Sequence, residues 1–331
     1  MDSAAARPNK VLPSLSVKRI KRSAVDTSRW DARVRNAFNE TPLACSWVLD
    51  CLSPGWEGLI IGDYEGVMPL PVSHRLGMKM IQMPPEVLTL GIFSDNPEIA
   101  SLFPQILTHP VFDPFRFIGY SGSPGLPVAQ MIQGTTIKQT YELELNKPYG
   151  QLYQNYSRNH RRNIRSFFQQ NMTIQPDEDH GTFIQLITEI GKKRPELYMP
   201  PGYRKKFESM MSGALTRQSK SYSVWQEGHL VGTAFFLAGD RRVIPFHAVN
   251  EKGHHYRCSF ALIDHFIKQH AGQELVMDFA GSVMPHIAEF NRRFGAVPVP
   301  YPSVTINRLP SLAKEVKDKK LLFRLKHFIL K

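Results

Sequence analysis

Cysteine is scarce, with three in 331 residues, at positions 45, 51 and 258. Such a set makes neither a disulfide framework nor a CxxC metal pair, so reduced, mostly buried thiols in a cytoplasmic protein are expected. Long apolar runs are lacking too. No segment reaches the roughly 18 apolar residues that span a bilayer. The first 26 residues, MDSAAARPNKVLPSLSVKRIKRSAVD, are basic but have no apolar stretch of secretory type. No solenoid-type repeat, Walker loop, GxSxG elbow or HExxH pair is found, so none of the activities those motifs carry is indicated. Acid is also in short supply. The 29 Asp and Glu stand against 41 Lys and Arg, a net charge of +12, which favours polyanions, anionic lipid or phosphorylated metabolites as partners.

What is present is an alternation of strands and helices. TSRWDARVRNAF and TPLACSWVLDCL read as helices, each opening on a threonine able to cap it. EGLIIGDYEGVMPLPV reads as a hairpin whose second strand is interrupted by Pro69 and Pro71. MKMIQM and FRFIGY read as strands, NPEIASLFPQIL as a helix kinked by Pro104, and SGSPGLPVAQ as a linker. The second half begins with the strand TTIKQTYELEL, a helical region from Tyr149 to Gln170, and two further helices, GTFIQLITEIGKK and GYRKKFESMMSGAL. A three-strand meander follows from Ser221 to Val249. The helix YRCSFALIDHFIKQH, the buried strand ELVMDFAGS, the helix PHIAEFNRRFG and the strand VPYPSVTINRL complete it. This order predicts a mixed α/β layer fold whose last β–α–β passage is a parallel crossover.

One segment departs from ordinary surface composition. YSRNHRRNIRSF, residues 156–167, has four arginines, a histidine and no acid. At about 100° per residue, Arg158, Arg161, Arg162 and Arg165 share one arc, while Tyr156, His160, Ile164 and Phe167 gather opposite. The helix is therefore expected to dock by its aromatic side and to present guanidinium groups suited to phosphate. Two readings stand side by side: a solvated face neutralised by acids such as DEDH at 177–180, or a site for a phosphate-bearing ligand facing the cleft between two domains.

DFAGSVMPHIAEFNRRFGA resembles the end of the second domain in FemAB-type and related GNAT-fold acyltransferases. YSRNHRRNIRSF resembles the basic helix near that domain's start, and PGWEGLIIGDYEGVMPLPV the opening hairpin. The likeness runs from about residue 28 to 308. It implies two GNAT-like α/β domains packed side by side, at 28–134 and 135–308. These would lie between a flexible basic start at 1–27 and a basic amphipathic tail at 309–331.

The implied activity is transfer of an acyl or aminoacyl group to an amine, with acetyl-CoA or another acyl-CoA, or an aminoacyl-tRNA, as donor. No metal is implied. The glycine-rich loop of acetyltransferases is reduced here to NEKGHHYRCS, so Asn250, Gly253, Arg257 and Ser259 are the expected cofactor contacts. Asn291 stands where many such enzymes carry a tyrosine, and is counted with Gly281 and Ser282 as substrate-binding. His247, Asp278 and Tyr301 are the expected catalytic groups, His247 and Asp278 as bases and Tyr301 as a donor into the cleft; for each, ordinary packing or capping is the competing role. The partners expected are a phosphate-bearing small molecule or an amine acceptor, with transfer RNA as an alternative. Contact of the tail with a membrane surface is less favoured than docking on the protein. The remaining alternatives are a GNAT-fold binding protein without activity and a nucleic-acid binder using the arginine-rich helix.

Overall fold

A computed structural model describes residues 15–75, 77–126, 131–170, 172–194, 199–215, 217–280 and 284–310. In the first half the elements run β1 (Val17–Lys21), α1 (Thr27–Asn36), α2 (Ser46–Leu52), β2 (Glu57–Ile61), β3 (Gly66–Leu70), β4 (Val72–Arg75), β5 (Met78–Gln82), α3 (Pro97–Ala100) and β6 (Phe117–Ser121). The second half continues with β7 (Thr135–Glu144), α4 (Tyr149–Gln154), α5 (Arg158–Gln169), β8 (Ile174–Pro176), α6 (Gly181–Lys193), α7 (Pro201–Ala214), β9 (Lys220–Gln226), β10 (His229–Ala238) and β11 (Arg242–Val249). It ends with α8 (Glu251–His255), α9 (Cys258–His270), β12 (Val276–Asp278), α10 (Pro285–Arg292) and β13 (Val297–Asn307).

β1, β2 and β3 form a small antiparallel sheet. The other strands lie in one ten-stranded sheet, ordered β4-β5-β6-β13-β7-β12-β11-β10-β9-β8. β13 joins the halves: Val297 to Val304 pair with β7, and Ser303 to Asn307 pair with β6.

Several local expectations are corrected. The start expected to be flexible contains β1, which pairs Val17 with Ile61 and Lys21 with Glu57; residues 1–14 lie outside the described set. Asp26, one residue before the threonine, caps α1 by accepting from Arg29 N. The first amide of α2 is taken by Asp31 Oδ1 at 2.7 Å. The segment around Pro104 is a short helix and two 3₁₀ turns rather than one kinked helix, as expected where proline removes an N–H from the ladder. The region from Tyr149 to Gln170 is divided at Ser157, whose Oγ accepts from His160 N and starts α5.

Side chains alternate across β10 and β11, and this sorts the second half into two layers. Phe235, Leu237 and Ile244 join the core that holds Trp30, Trp56, Leu59 and Phe207, so this face, with α6 and α7, lies against the first half. Ala234, Phe236 and Val243 face the opposite way, into a core with Ile164 and Phe167 of α5 and Leu262 and Phe266 of α9. Among the described residues, no residue of the first half belongs to that second core.

The seam between the halves is polar where the β10–β11 turn meets residues 35–42. Arg241 Nη2 donates to the carbonyls of Arg35 (2.9 Å) and Ala37 (2.5 Å), and Arg242 Nε donates to that of Glu40 (3.0 Å). Gly239 leaves room for the Glu40 carboxylate, since a Cβ there would stand 1.9 Å from Glu40 Oε1. Among the described residues no helix is long and apolar enough to cross a membrane.

Candidate active site

β11 and β12 run parallel but pair only at Arg242–Val276 and Val243–Met277. Beyond that point β12 stops at Asp278 while β11 continues to Val249. From Ile244 onward β11 therefore has β10 on one edge and, among the described residues, no strand on the other. The cause is a turn. Ala280 adopts φ 33°, its N–H donates to Asp278 Oδ1 at 3.1 Å, and Thr140 Oγ1 donates to the same oxygen at 3.0 Å. An unpaired edge inside a sheet offers backbone groups to an extended, amide-bearing ligand.

His247 sits on that free stretch. It pairs with Ala234, so its ring points to the layer of α5, α9 and α10. It stacks on Phe290 of α10, with centroids 5.8 Å apart at 27°. The ring reaches solvent although protein surrounds it closely. That surround, and next the charge of His254, holds its pKa below the usual histidine range. Because more than a third of the residue is exposed, solvent screens part of this effect. Near neutral pH the imidazole is uncharged and able to accept a proton.

His160 lies beneath, with its ring against Phe260, Phe290 and Phe294 at 4.8, 5.2 and 4.5 Å. Its Nε2 is 3.0 Å from the Phe290 carbonyl oxygen, which can only accept, so the proton resides on Nε2. Burial pushes His160 down to about 4. This neutral histidine ties the arginine helix to the floor of the gap.

The other expected groups fare differently. Asp278 is buried, and its second oxygen is 3.3 Å from Arg242 Nη1, which also meets Glu142 at 2.6 Å. Its oxygens hold the turn and the ion pair, which leaves capping as the role its contacts describe rather than that of a free base. Tyr301 is 1% exposed, its hydroxyl has no hydrogen-bond partner among the described residues, and burial, with the Asp278 charge, pushes it up to about 12. Its cross-strand partner is Lys138 of β7.

Asn250 caps α8, with Oδ1 accepting from Gly253 N at 2.9 Å and Nδ2 donating to Leu230 O at 3.1 Å. Gly253 is needed for packing, because a Cβ would lie 2.0 Å from Val231 O. The Asn250 amide oxygen and the Gly253 N–H are thus committed to each other, and one of the two Nδ2 hydrogens to Leu230. Arg257 and Ser259, by contrast, stand exposed and half-buried at the start of α9, where a helix N-terminus attracts anions. Asn291 is 3% exposed in α10 and so is not presented to a ligand. Gly281 and Ser282 lie outside the described residues.

α5 docks as its spacing predicts, with His160, Ile164 and Phe167 buried and Arg158, Arg162 and Arg165 exposed. Arg161 is half-buried. Arg162 Nη2 donates to Asn159 Oδ1 at 2.7 Å, and none of the four arginines forms an ion pair among the described residues. Asp177 is engaged elsewhere, accepting from Thr182 N and Oγ1. The expected cleft location is corrected: α5 lies on the face opposite the first half, because its apolar side belongs to the second core. Near its start, Asn155, Ser157, Arg158 and Asn159 face Glu289, Arg292 and Arg293 across an open recess of about 480 Å³. Glu289 pairs with Arg292 and Arg293, both at 2.7 Å, leaving Arg158 without a carboxylate there.

The sequence reading missed Phe290 and the seam residues Glu40, Arg241 and Arg242. Phe290 follows Ile287 at helical spacing and reads as ordinary core; only the parting of β11 and β12 makes it a cleft residue.

No protein-family profile matches the sequence, and no curated protein does. Solved structures are nevertheless similar. FemX superposes with a TM-score of 0.61 at 12% identity, over 86% of this chain and 96% of FemX. A conserved protein of unknown function from Bacteroides thetaiotaomicron gives 0.56 at 10% identity, over 85% of this chain and 97% of that one. The C-terminal domain of a protein assigned as a lysylphosphatidylglycerol synthetase from Agrobacterium fabrum gives 0.52 at 11%, over 90% and 96%. Identities this low speak for architecture alone, and on that architecture the chain has the FemX-like, GNAT-type fold, its mixed sheets flanked by helices.

Proposed function

We propose that this is a cytoplasmic N-acyltransferase-like protein that moves an acyl or aminoacyl group onto an amine at the gap between β11 and β12. The observation that carries the reading is the parting of these strands after Val243 and Met277, with His247 on the free stretch. The amine would attack a thioester or ester carbonyl lying along the β11 edge. Backbone N–H groups of that edge would stabilise the oxyanion, and His247 would take the proton from the attacking nitrogen. Collapse of the tetrahedral intermediate would break the carbon–sulfur or carbon–oxygen bond, the departing thiolate or alkoxide taking that proton from His247. Positioning supplies much of the rate in such a transfer.

The unpaired arginines of α5 and the start of α9 support a phosphate-bearing donor or acceptor, either an acyl-CoA or an aminoacyl-tRNA. We take residues 28–134 and 135–308 as the two GNAT-like units, because β7 opens a new order of elements, with β13 shared between them. Calorimetry with acetyl-CoA, longer acyl-CoAs and an aminoacyl-tRNA tests the reading. Binding of one donor class, lost in His247→Ala only at the transfer step and not in affinity, is the expected result. Silence toward all of them would leave a protein that kept the fold for binding alone.

A further inference from the structure

The start of α5 and the end of α10 are joined by two bonds. Ser157 N donates to Arg293 O at 2.9 Å, and His160 Nε2 donates to Phe290 O at 3.0 Å. The second bond answers a need of α10. In a continued helix Phe290 O would accept from Phe294 N, but that N–H goes to Asn291 O at 3.0 Å, and the helix ends at Arg292. His160 supplies the missing donor from another element, as a histidine near a helix C-terminus can. Phe290 is also the residue whose ring stacks on His247. One residue of α10 therefore has its carbonyl held by His160 and its ring against the candidate base.

Packing alone does not require an imidazole here. His160 is 2% exposed among Phe260, Phe290 and Phe294, where a phenylalanine would fill the space. Its Nδ1 is buried with no hydrogen-bond partner among the described residues, a cost that a phenylalanine would avoid. What the imidazole adds is the Nε2 bond. Without it the last turn of α10 loses that donor, and the Phe290 ring is held by its aromatic contacts alone.

We propose that His160 is a positioning residue, which fixes the Phe290 ring, and through it the imidazole of His247, by holding the last turn of α10. Because His160 belongs to α5, the seating of the arginine helix and the orientation of His247 are one event. The role of His247 as base belongs to the acyl-transfer reading, on which this proposal rests; the geometry is tested with no donor present. The Phe290 ring is part of the close surround that lowers the His247 pKa, so releasing it should raise that pKa toward the usual histidine range. The charge acting on His247 is that of His254 on α8, which stands near Arg194 and Arg257. The charges near His160 are Arg293 and Glu289. None of these is altered by the substitutions that test the proposal.

Titration of the histidines by NMR, on the full chain, is the test. In the unaltered protein a long-range nitrogen–proton spectrum should show His160 as the Nε2–H tautomer. His160→Phe should raise the apparent pKa of His247 by about half a unit or more. His160→Gln, whose amide can still donate to Phe290 O, should restore it. Should His160→Phe fail to fold, His160→Leu, which also lacks a donor, takes its place. Phe290→Leu should raise the His247 pKa as well, and the double variant no further than Phe290→Leu alone, since His160 acts through that ring. Ile164→Val, in the same core, should lower Tm and leave His247 unchanged. These titrations are independent of any transfer, so an absence of transfer would sink the acyl-transfer reading alone. An unchanged His247 titration in His160→Phe, an equal shift in Ile164→Val, additive shifts in the double variant, or an Nδ1–H tautomer of His160 would each overturn the proposal.

Discussion

The two ends of β11 are built on opposite plans. At its amino end, Arg242 stands between Glu142 and Asp278, and the neighbouring strand is in register. At its carboxyl end the neighbour has gone, a histidine reaches solvent, and the nearby arginines of α5 have no acid among the described residues. Paired charge holds the sheet and the halves together at one end. At the other, pairing is withheld, and backbone groups and cations are left for something else to satisfy.

The sharpest way to break this contrast is Arg242→Met. It leaves Glu142 and Asp278 close together and uncompensated, and loss of one partner from a buried pair costs about 3–5 kcal/mol. A urea midpoint lowered accordingly is the expected outcome; an unchanged midpoint would show that the amino end is not the anchor.

The two ends should also fail at opposite limits of pH. Glu40 is raised in the folded state, to about 7, so its contribution is complete below the unfolded carboxyl pKa and is lost as pH rises from about 4.5 to 7. His160 is lowered, to about 4, so its contribution is complete above about 6.5 and is lost as pH falls toward 4. Each amounts to at most about 3 kcal/mol over its window. Thermal melts across pH should show Glu40→Gln flattening the alkaline limb and His160→Phe flattening the acid limb, each leaving the other limb in place.

The smallest effect on stability is expected for the double variant Arg161→Gln and Arg162→Gln, within about 0.5 kcal/mol for surface positions. Binding of the phosphate-bearing ligand should nevertheless weaken and lose part of its salt dependence. A large fall in Tm with unchanged binding would make the stripe a structural network after all.

What could be read from the sequence follows the range of the forces involved. α5 was legible because 3.6-residue periodicity places Ile164 and Phe167 opposite the arginines whatever surrounds them. The meander β9–β11 was legible from local turn chemistry at Glu227-Gly228 and Gly239-Asp240. β1 was not, because its basic composition hides a pairing with β2 set by the tertiary fold. Of the expected groups, the place of His247 near the end of a strand was legible from local pattern. That Asp278 is committed to Thr140, Ala280 and Arg242, and that Gly253 packs against Val231, depends on contacts between distant segments. No local pattern encodes them. The face on which α5 docks was missed for the same reason, since spacing fixes which side is buried but not against which layer.

β13 has a consequence for synthesis. Ser303 on β13 and Ser121 on β6, whose hydroxyls meet at 3.1 Å, are separated by 182 residues of chain. At roughly 5–20 residues per second, a ribosome takes roughly ten to forty seconds to cover that distance. Throughout that interval the edge of β6 is complete but has no partner, exposing a ladder of backbone groups that a neighbouring nascent chain could fill. β13 thus closes both halves at once, and until it emerges the open edge of β6 is a place where mispairing can start.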